Sequence, residues 1–398
     1  MEQMLTSIEF ISYTENEDYL AEGKPEPNIR SQTLIYHSGD SKWWIKVTFK
    51  GETSHGLQQK TSKRERRKEF QSFLQHIDYS SLPLLDDTVT EVLLDDLAEP
   101  HYATLPLRET EEFTSSVFAT LARTLRYTTR EDPSRVVYPS CHEFPSFPQT
   151  NMAELSHEID IAAGVSKVFD VHNKTPYILK VVNRPLYLPH DTGIIRRELE
   201  NLGICKGVPN IVQAAGIAVS TNPYMTSSAR DQLLVVIGIL LEFHSGGSLQ
   251  EVLNEGRLLD HPWESWAIQI ATALAHLHGA GITHMDIKPS NVVLDSDGNA
   301  ILIDISGIGG VTYRWCAPEI RDEISPTALP FEARRLNDLW ACGQLLSEIV
   351  SRAEHSPITK MLRQIADCLT KENTQSRMTL LEAISQLEAA GVGKVWKM

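Results

Sequence analysis

The stretch His284-Met285-Asp286-Ile287-Lys288-Pro289-Ser290-Asn291 is followed by Asp304 and then by Ala317-Pro318-Glu319. Between them, Val292-Val293-Leu294 reads as a short buried strand and Asp295-Ser296-Asp297-Gly298-Asn299 as a hairpin turn. Ala300-Ile301-Leu302-Ile303 is the returning strand, because two apolar runs flank residues that favour tight turns. Such a hairpin brings Asn291 and Asp304 to one edge. A lone His-x-Asp triplet is most often a coincidence of the surface; the ordered set is a far more specific signal.

The order and near-usual spacing of these residues resemble the catalytic loop, metal-binding Asp and APE motif of the eukaryotic protein kinases. The resemblance runs from about Met152 to the C-terminus and implies an α+β, bilobal kinase fold using ATP and Mg2+. Phosphoryl transfer needs charge placed around a γ-phosphate and an acceptor hydroxyl held in line. By the resemblance, Asp286 orients and deprotonates that hydroxyl, Lys288 neutralises charge on the moving group, and Asn291 and Asp304 hold the metal.

Further upstream, Lys180 lies in the β-rich run Pro176 to Val181, where the family places its ATP-binding Lys. His190-Asp191-Thr192 starts a helix with Ile195, Leu199 and Leu202 at helical spacing and Gly203 as the stop. Glu198 on that helix is the expected partner of Lys180. Its competing reading is a solvated surface Glu, and the following Val208-Pro209-Asn210-Ile211-Val212, which resembles the family's linker into the next strand, favours Glu198 over Glu200. Leu233 to Leu241 reads as a strand leading into a hinge-like Glu242-Phe243-His244-Ser245-Gly246-Gly247-Ser248. The resemblance makes Leu241 the gatekeeper, gives Glu242 and His244 backbone groups for adenine, and adds Ser248, Val293 and Ile178 to the nucleotide pocket. The phosphate loop is expected at Ala162, Ala163, Gly164, Val165 and Ser166, with Val168 as the apolar residue beyond it. Trp266, Ile270, Leu274 and Leu277 describe a buried helix. Asp338 resembles the family's central-helix Asp, and Arg377 is placed to pair with Glu319.

Several departures qualify the resemblance. The phosphate loop keeps one glycine, and Ile178 stands where the family has Ala; these two changes favour a pseudokinase or scaffold with weak ATP binding. Every charged group needed for chemistry is present, which favours an active protein Ser/Thr kinase. Lys288 and Thr312 point to Ser/Thr acceptors, and the APE motif argues against a small-molecule kinase. Asp304-Ile305-Ser306-Gly307 replaces the usual DFG, only 16 residues run from Asp304 through Glu319, and Met285 replaces the Arg that commonly receives an activation-loop phosphate. These changes agree in predicting no activation-loop phosphorylation switch.

A hydrophobic share of 41% with 22% charged residues is ordinary for a globular chain, and a formal net charge of −15 argues against general nucleic-acid binding. Five scattered cysteines without CxxC spacing indicate neither disulfides nor zinc. No leader-like segment or membrane-length apolar run is apparent, so an intracellular, soluble protein, cytoplasmic or nuclear, is expected.

Residues 1–135 carry no recognisable chemistry and are expected to form an α+β accessory domain that binds a regulator or a substrate. Strands are predicted over 8–13, 33–37 and 42–49, a capping box over Ser62 to Glu65, and helices carrying Phe70, Phe73, Leu74 and Ile77 and then Phe113, Val117, Leu121 and Leu125. Lys63 to Lys68 reads as a solvated helix face or as a basic targeting patch. The order Lys46, Glu69, Val92 also suggests an imitation of a kinase N-lobe. The Pro-rich segment within 136–151 reads as a linker, leaving 152–398 as the kinase domain, with its N-lobe to about 243 and its C-lobe from about 244.

Overall fold

Gly39, at φ 57°, makes the turn that folds β2 (Ile29–Ser38) against β3 (Ser41–Lys50); β1 (Thr6–Glu15) pairs with the free edge of β2. The computed structural model describes residues 6–17, 19, 26–51, 61–95, 103–108, 118, 125–227 and 233–392. Two units result, one of residues 1–135 with 221–234, the other of 136–220 with 235–398.

In the first unit, strand alternation turns Leu34, Ile45, Val47 and Phe49 to one face, where Phe70, Phe73 and Leu74 of α1 (Lys63–Leu74) cover them. The Ser62–Glu65 capping box opens α1 as expected. Helix α1 crosses over to β4 (Val89–Asp95), which lies parallel to β3; β5 (Ala103–Thr104) and β6 (Arg126–Glu131) complete the order β1-β2-β3-β4-β6-β5. Within the basic run, Arg66 is buried against Glu15 at 2.7 Å while Lys63, Arg64, Arg67 and Lys68 are exposed. The imitation of a kinase N-lobe does not hold. Lys46 bonds Asp132 at 3.1 Å and Ser134 at 2.7 Å, Glu69 is exposed, and the parallel β3–β4 pair differs from the antiparallel arrangement of the second unit. The second helix predicted around Phe113, Val117 and Leu121 lies outside the described residues. Segment 221–234 belongs to this unit, where Thr226 and Asp87 exchange two hydrogen bonds of 2.9 Å and Tyr224 meets Trp44 edge-on.

The second unit begins with residues 136–151, read from their prolines as a linker but built into the body here. The Thr192 hydroxyl donates to the Val137 carbonyl (2.6 Å), the Val236 N–H to that of Pro139 (2.8 Å), and Cys141 and Phe144 are buried. The segment ends as β7 (Gln149–Asn151). After it come β8 (Leu155–Ala162), β9 (Val165–Asp170), β10 (Pro176–Val181), α2 (Asp191–Ile204), β11 (Ala214–Thr221) and β12 (Leu234–Glu242). Their sheet order is β7-β11-β12-β10-β9-β8. The helical part contains α3 (Leu249–Glu255), α4 (Trp266–Gly279), the hairpin β13 (Val292–Leu294) and β14 (Ala300–Leu302), α5 (Phe331–Ser351), α6 (Pro357–Leu369) and α7 (Leu380–Ala389). A β-rich N-lobe thus precedes a mainly helical C-lobe, and the chain is α+β as a whole.

Arg377 ties this C-lobe together. Its buried guanidinium bonds Glu319 at 2.8 Å and the Lys371 and Leu336 carbonyls, and lies 5.1 Å from the Trp340 ring centre. Burial alone would raise the Glu319 carboxyl; the bonds and charge of Arg377 outweigh it and hold that carboxyl below its ordinary range. A depressed carboxylate stabilises the fold above its unfolded pKa, and that contribution fades as pH falls through the folded value. In urea denaturation, Arg377→Met is expected to cost about 1–3 kcal/mol at neutral pH, from the Lys371 and Leu336 carbonyls and Glu319 losing their donor. The variant is also expected to lose part of the wild-type stability slope below about pH 4.

Candidate active site

Asp338 is fully buried on α5, and its carboxylate accepts the N–H groups of His284 and Met285, each at 2.8 Å, and the His278 ring at 3.0 Å. Met285 has φ 68°, a left-handed conformation that an unbranched side chain adopts only under constraint, and the two bonds to Asp338 supply that constraint. His284 then bonds the Ile303 carbonyl through Nε2 and accepts the Asp286 N–H on Nδ1, so the ring joins the loop to the end of the β13–β14 hairpin. The hairpin forms as predicted, with Asp295 accepting the N–H groups of Asp297 and Asn299.

This framework brings the expected catalytic residues together. The Lys180 ammonium lies 2.6 Å from Glu198 and 2.7 Å from Asp304. Glu198 is fully buried, whereas Glu200 is exposed and pairs with Arg197. Burial alone would lower the Lys180 pKa; the two carboxylates reverse that and hold it above its ordinary value. Burial raises Glu198, while the charge of Lys180 outweighs burial at Asp304 and holds that carboxyl low. One cation therefore serves two carboxylates, leaving the cluster net negative. Lys288 bridges Asp286 (2.5 Å) and Thr312 (2.9 Å), and Asn291 donates to the Asp286 carbonyl (2.8 Å) and to its Oδ2 (3.1 Å). Asp286 Oδ1 is buried without a partner.

The donors fit a hard cation. With its amide N–H donated to Asp286, Asn291 keeps its carbonyl oxygen, and Asp304 supplies carboxylate oxygen. Among the described residues no three His, Cys, Asp or Glu side chains converge as a metal cage. Two oxygen ligands completed by phosphate and water are the donor set that Mg2+ takes in nucleotide sites.

The nucleotide end departs from expectation. Ala163 and Gly164 form the tight turn between β8 and β9, Ala162 pairs with Val165, and Lys167 lies across from Ile178. Ile178 and Lys180 alternate with Leu179, which packs with Val168, Ala218 and Leu240 in a core on the opposite face. Val168 is therefore not at the pocket, and neither is Ser166, which pairs with Leu179 and bonds Asp160 (2.7 Å). The register shift of one residue moves Lys167 to the position of the loop's apolar residue and places Asp160, Ala162 and Val165 where G-x-G-x-x-G has glycine. The Lys167 ammonium is 2.8 Å from Glu158 and 4.5 Å from the Phe243 ring centre. Ala163, Gly164 and Val165 line a cavity shared with Lys180, Asp286 and Asp304.

At the hinge, Leu241 is buried and Glu242 is exposed. Burial outweighs the charges of Glu242 and Asp295 and lowers the pKa of His244. Gly246 is close to β13: its N–H donates to the Leu294 carbonyl (3.0 Å), and an added Cβ would lie 2.7 Å from that oxygen. The glycine thus serves the hinge-to-β13 contact, with Ser248 bridging to Val293. Sequence reasoning missed Lys167 and Asn201. The two-residue turn at Ala163-Gly164 was the signal for the first, and a polar residue within the apolar stripe of α2 for the second.

The protein kinase domain model matches residues 162–387, more than half of the chain, and the chain belongs to that family. It is 27% identical to CBL-interacting serine/threonine-protein kinase 3 of Arabidopsis thaliana over 43% of this chain and 38% of that protein. It is 30% identical to CBL-interacting protein kinase 1 of Oryza sativa subsp. japonica over 41% and 34%, respectively. A mitogen-activated protein kinase kinase kinase, MST11, of Pyricularia oryzae is 28% identical over 39% of this chain and 17% of its own length. The chain thus spans well under half the length of these relatives.

The proposed place of Lys167 over the base slot rests on its position across from Ile178 and beside Phe243. Lys167→Val is expected to tighten ATP binding about fivefold, roughly 1 kcal/mol, measured by calorimetric titration with Mg-ATP. Unchanged or weaker binding would place Lys167 outside the slot or in favourable contact with the nucleotide.

Proposed function

We propose that the second unit is an active kinase that moves the γ-phosphoryl group of Mg-ATP to a Ser or Thr hydroxyl of a protein. The observation that carries this reading is Lys180 held at 2.6–2.7 Å from both Glu198 and Asp304, within the cluster that contains Asp286, Lys288 and Asn291. Bound Mg-ATP would supply the activated phosphoryl group and the cationic charge that offsets it. Asp286 engages Lys288 and Asn291 through Oδ2, which leaves Oδ1 to orient an acceptor hydroxyl and take its proton. Lys288 offsets negative charge on the moving group and, through Thr312, fixes the segment beside the acceptor. Lys180, kept cationic by its two partners, positions the α- and β-phosphates.

We further infer that activity needs no activation-loop phosphorylation. Met285 packs with Cys316, Ala317, Ile320 and Trp340, so the site of the usual phosphate-receiving Arg is part of an apolar core. The second reading, a pseudokinase or scaffold, is favoured by Lys167 at the base slot and by the side chains of Ala162 and Val165 in the phosphate loop. The names of the plant relatives describe interaction with CBL; here the first unit is the proposed site for a regulator or substrate. The five free cysteines suit a reducing compartment, cytoplasm or nucleus. No helix among the described residues is long and apolar enough to cross a membrane.

The test is Mg2+-dependent transfer from labelled ATP to a basic Ser/Thr protein substrate. Asp286→Asn is expected to lower kcat at least about 100-fold, the lower end of a general base's usual contribution, while Mg-ATP binding stays within about twofold. Absence of transfer by the folded wild-type chain, over several substrates, would move the assignment to the scaffold reading.

A further inference from the structure

Asn201 lies three residues after Glu198 on the same face of α2 and is 2% exposed. Its amide Nδ2 donates to the Ile305 carbonyl at 2.6 Å and also lies 3.3 Å from that of Ser306, the two residues that follow Asp304. Asp304 itself has φ 59°, a conformation that Asp tolerates only where its surroundings determine it. The segment is fixed again just beyond. The Ser306 hydroxyl accepts the Gly309 N–H at 3.1 Å and sits 3.5 Å from that of Ile308. Gly307, at φ 70°, lies so close to the Thr283 carbonyl that an added Cβ would stand 2.2 Å from it.

From this geometry we propose that Asn201 is a positioning residue for phosphoryl transfer: it clamps the backbone after Asp304 to α2, so that the metal-ligand carboxylate and Glu198 reach Lys180 as one rigid group. The inference rests on the kinase reading above. Its basis is distinct, because the clamp acts on main-chain carbonyls and touches neither nucleotide nor acceptor. Three constraints converge on three successive residues: Asn201 on Ile305 and Ser306, the Ser306 hydroxyl on the following turn, and Thr283 against Gly307. They do internally what an ordered phosphate would do from the other end of the segment. Glu198 and Asn201 share one helix, so a displacement of α2 that breaks Lys180–Glu198 also pulls on the Asp304 backbone. The two halves of the site therefore form or fail together.

The experiment compares wild type with Asn201→Leu, which keeps the volume without a donor, and Asn201→Asp, which faces the carbonyls with an acceptor. Three quantities are read on the full chain: kcat, the Mg2+ concentration for half-maximal transfer, and hydrogen exchange of the Ile308 and Gly309 amides. Both variants are expected to lose at least about tenfold in kcat, need several-fold more Mg2+, and exchange those amides at least about tenfold faster. KM for ATP at saturating Mg2+ should stay within about threefold. A lower Tm with unchanged kcat and Mg2+ requirement would reduce Asn201 to a packing role and overturn the proposal. If the wild type transfers no phosphate, the kinase reading fails, and the exchange comparison still decides the clamp: unchanged exchange in both variants overturns it as well.

Discussion

A half-buried lysine bonded to two carboxylates is the constraint on which the second unit depends. Taking Lys180 and the fully buried Glu198 out of water has a cost that close pairing offsets, and Lys180 reaches both Glu198 and the partly exposed Asp304 at hydrogen-bond distance. The geometry demands three elements at once: β10 must present Lys180, α2 must bring Glu198 inward, and the chain after β14 must turn left-handed at Asp304. Most of the surrounding packing can be understood as meeting those demands. The strap 136–151 packs on the outer side of α2, through Val137 on Thr192 and Glu143 on Arg196. Asn201 holds its inner side. The leftover negative charge is the property that makes the cluster receptive to a cationic partner.

Most of this site was legible in the sequence because its residues sit on short, strongly punctuated elements. The β13–β14 hairpin is set by local turn chemistry, while the His284–Asn291 loop and the Glu319–Arg377 pair were legible through their resemblance to the family's motifs. Glu198 was separable from Glu200 through the linker-like Val208-Pro209-Asn210-Ile211-Val212 that follows, and the structure places Glu198 inward and leaves Glu200 exposed. The glycine-poor loop was harder. In a strand a single-residue shift exchanges the two faces, and without its glycines the loop offered little to fix the count. Val168 looked like the pocket residue because it is apolar, yet its apolar character serves the opposite core with Leu179 and Leu240.

The prolines of 136–151 misled for a related reason. Proline is common in linkers because it cannot join a ladder, but it is equally suited to an extended strap that offers carbonyls and few donors. Pro139 and Pro148 do that here, each accepting a bond from a neighbouring strand. In the first unit, the likeness of Lys46 and Glu69 to a kinase pair failed on topology. A helix crossover that returns the chain parallel to β3 puts Glu91 and Asp132 beside Lys46, and leaves Glu69 on the outer face of α1.

The short segment from Asp304 to Glu319 is held at both ends by side chains of this chain, the physical basis of the proposal that no phosphorylation switch operates there. A phosphate-receiving arginine is charged and solvated until its partner arrives, so the loop it governs has two states of comparable energy. At Met285 that position is apolar and 2% exposed, packed on Cys316, Ala317, Ile320 and Trp340. Burial of a methionine side chain is worth on the order of 1.5–3 kcal/mol and has no dependence on an added charge. The backbone is constrained as well, through Asp338 on Met285 and Asn201 on Ile305. With both ends of the segment held by groups permanently present in the chain, its placement follows from folding; on the proposed reading, control of the site would act on α2 or on access to the nucleotide slot.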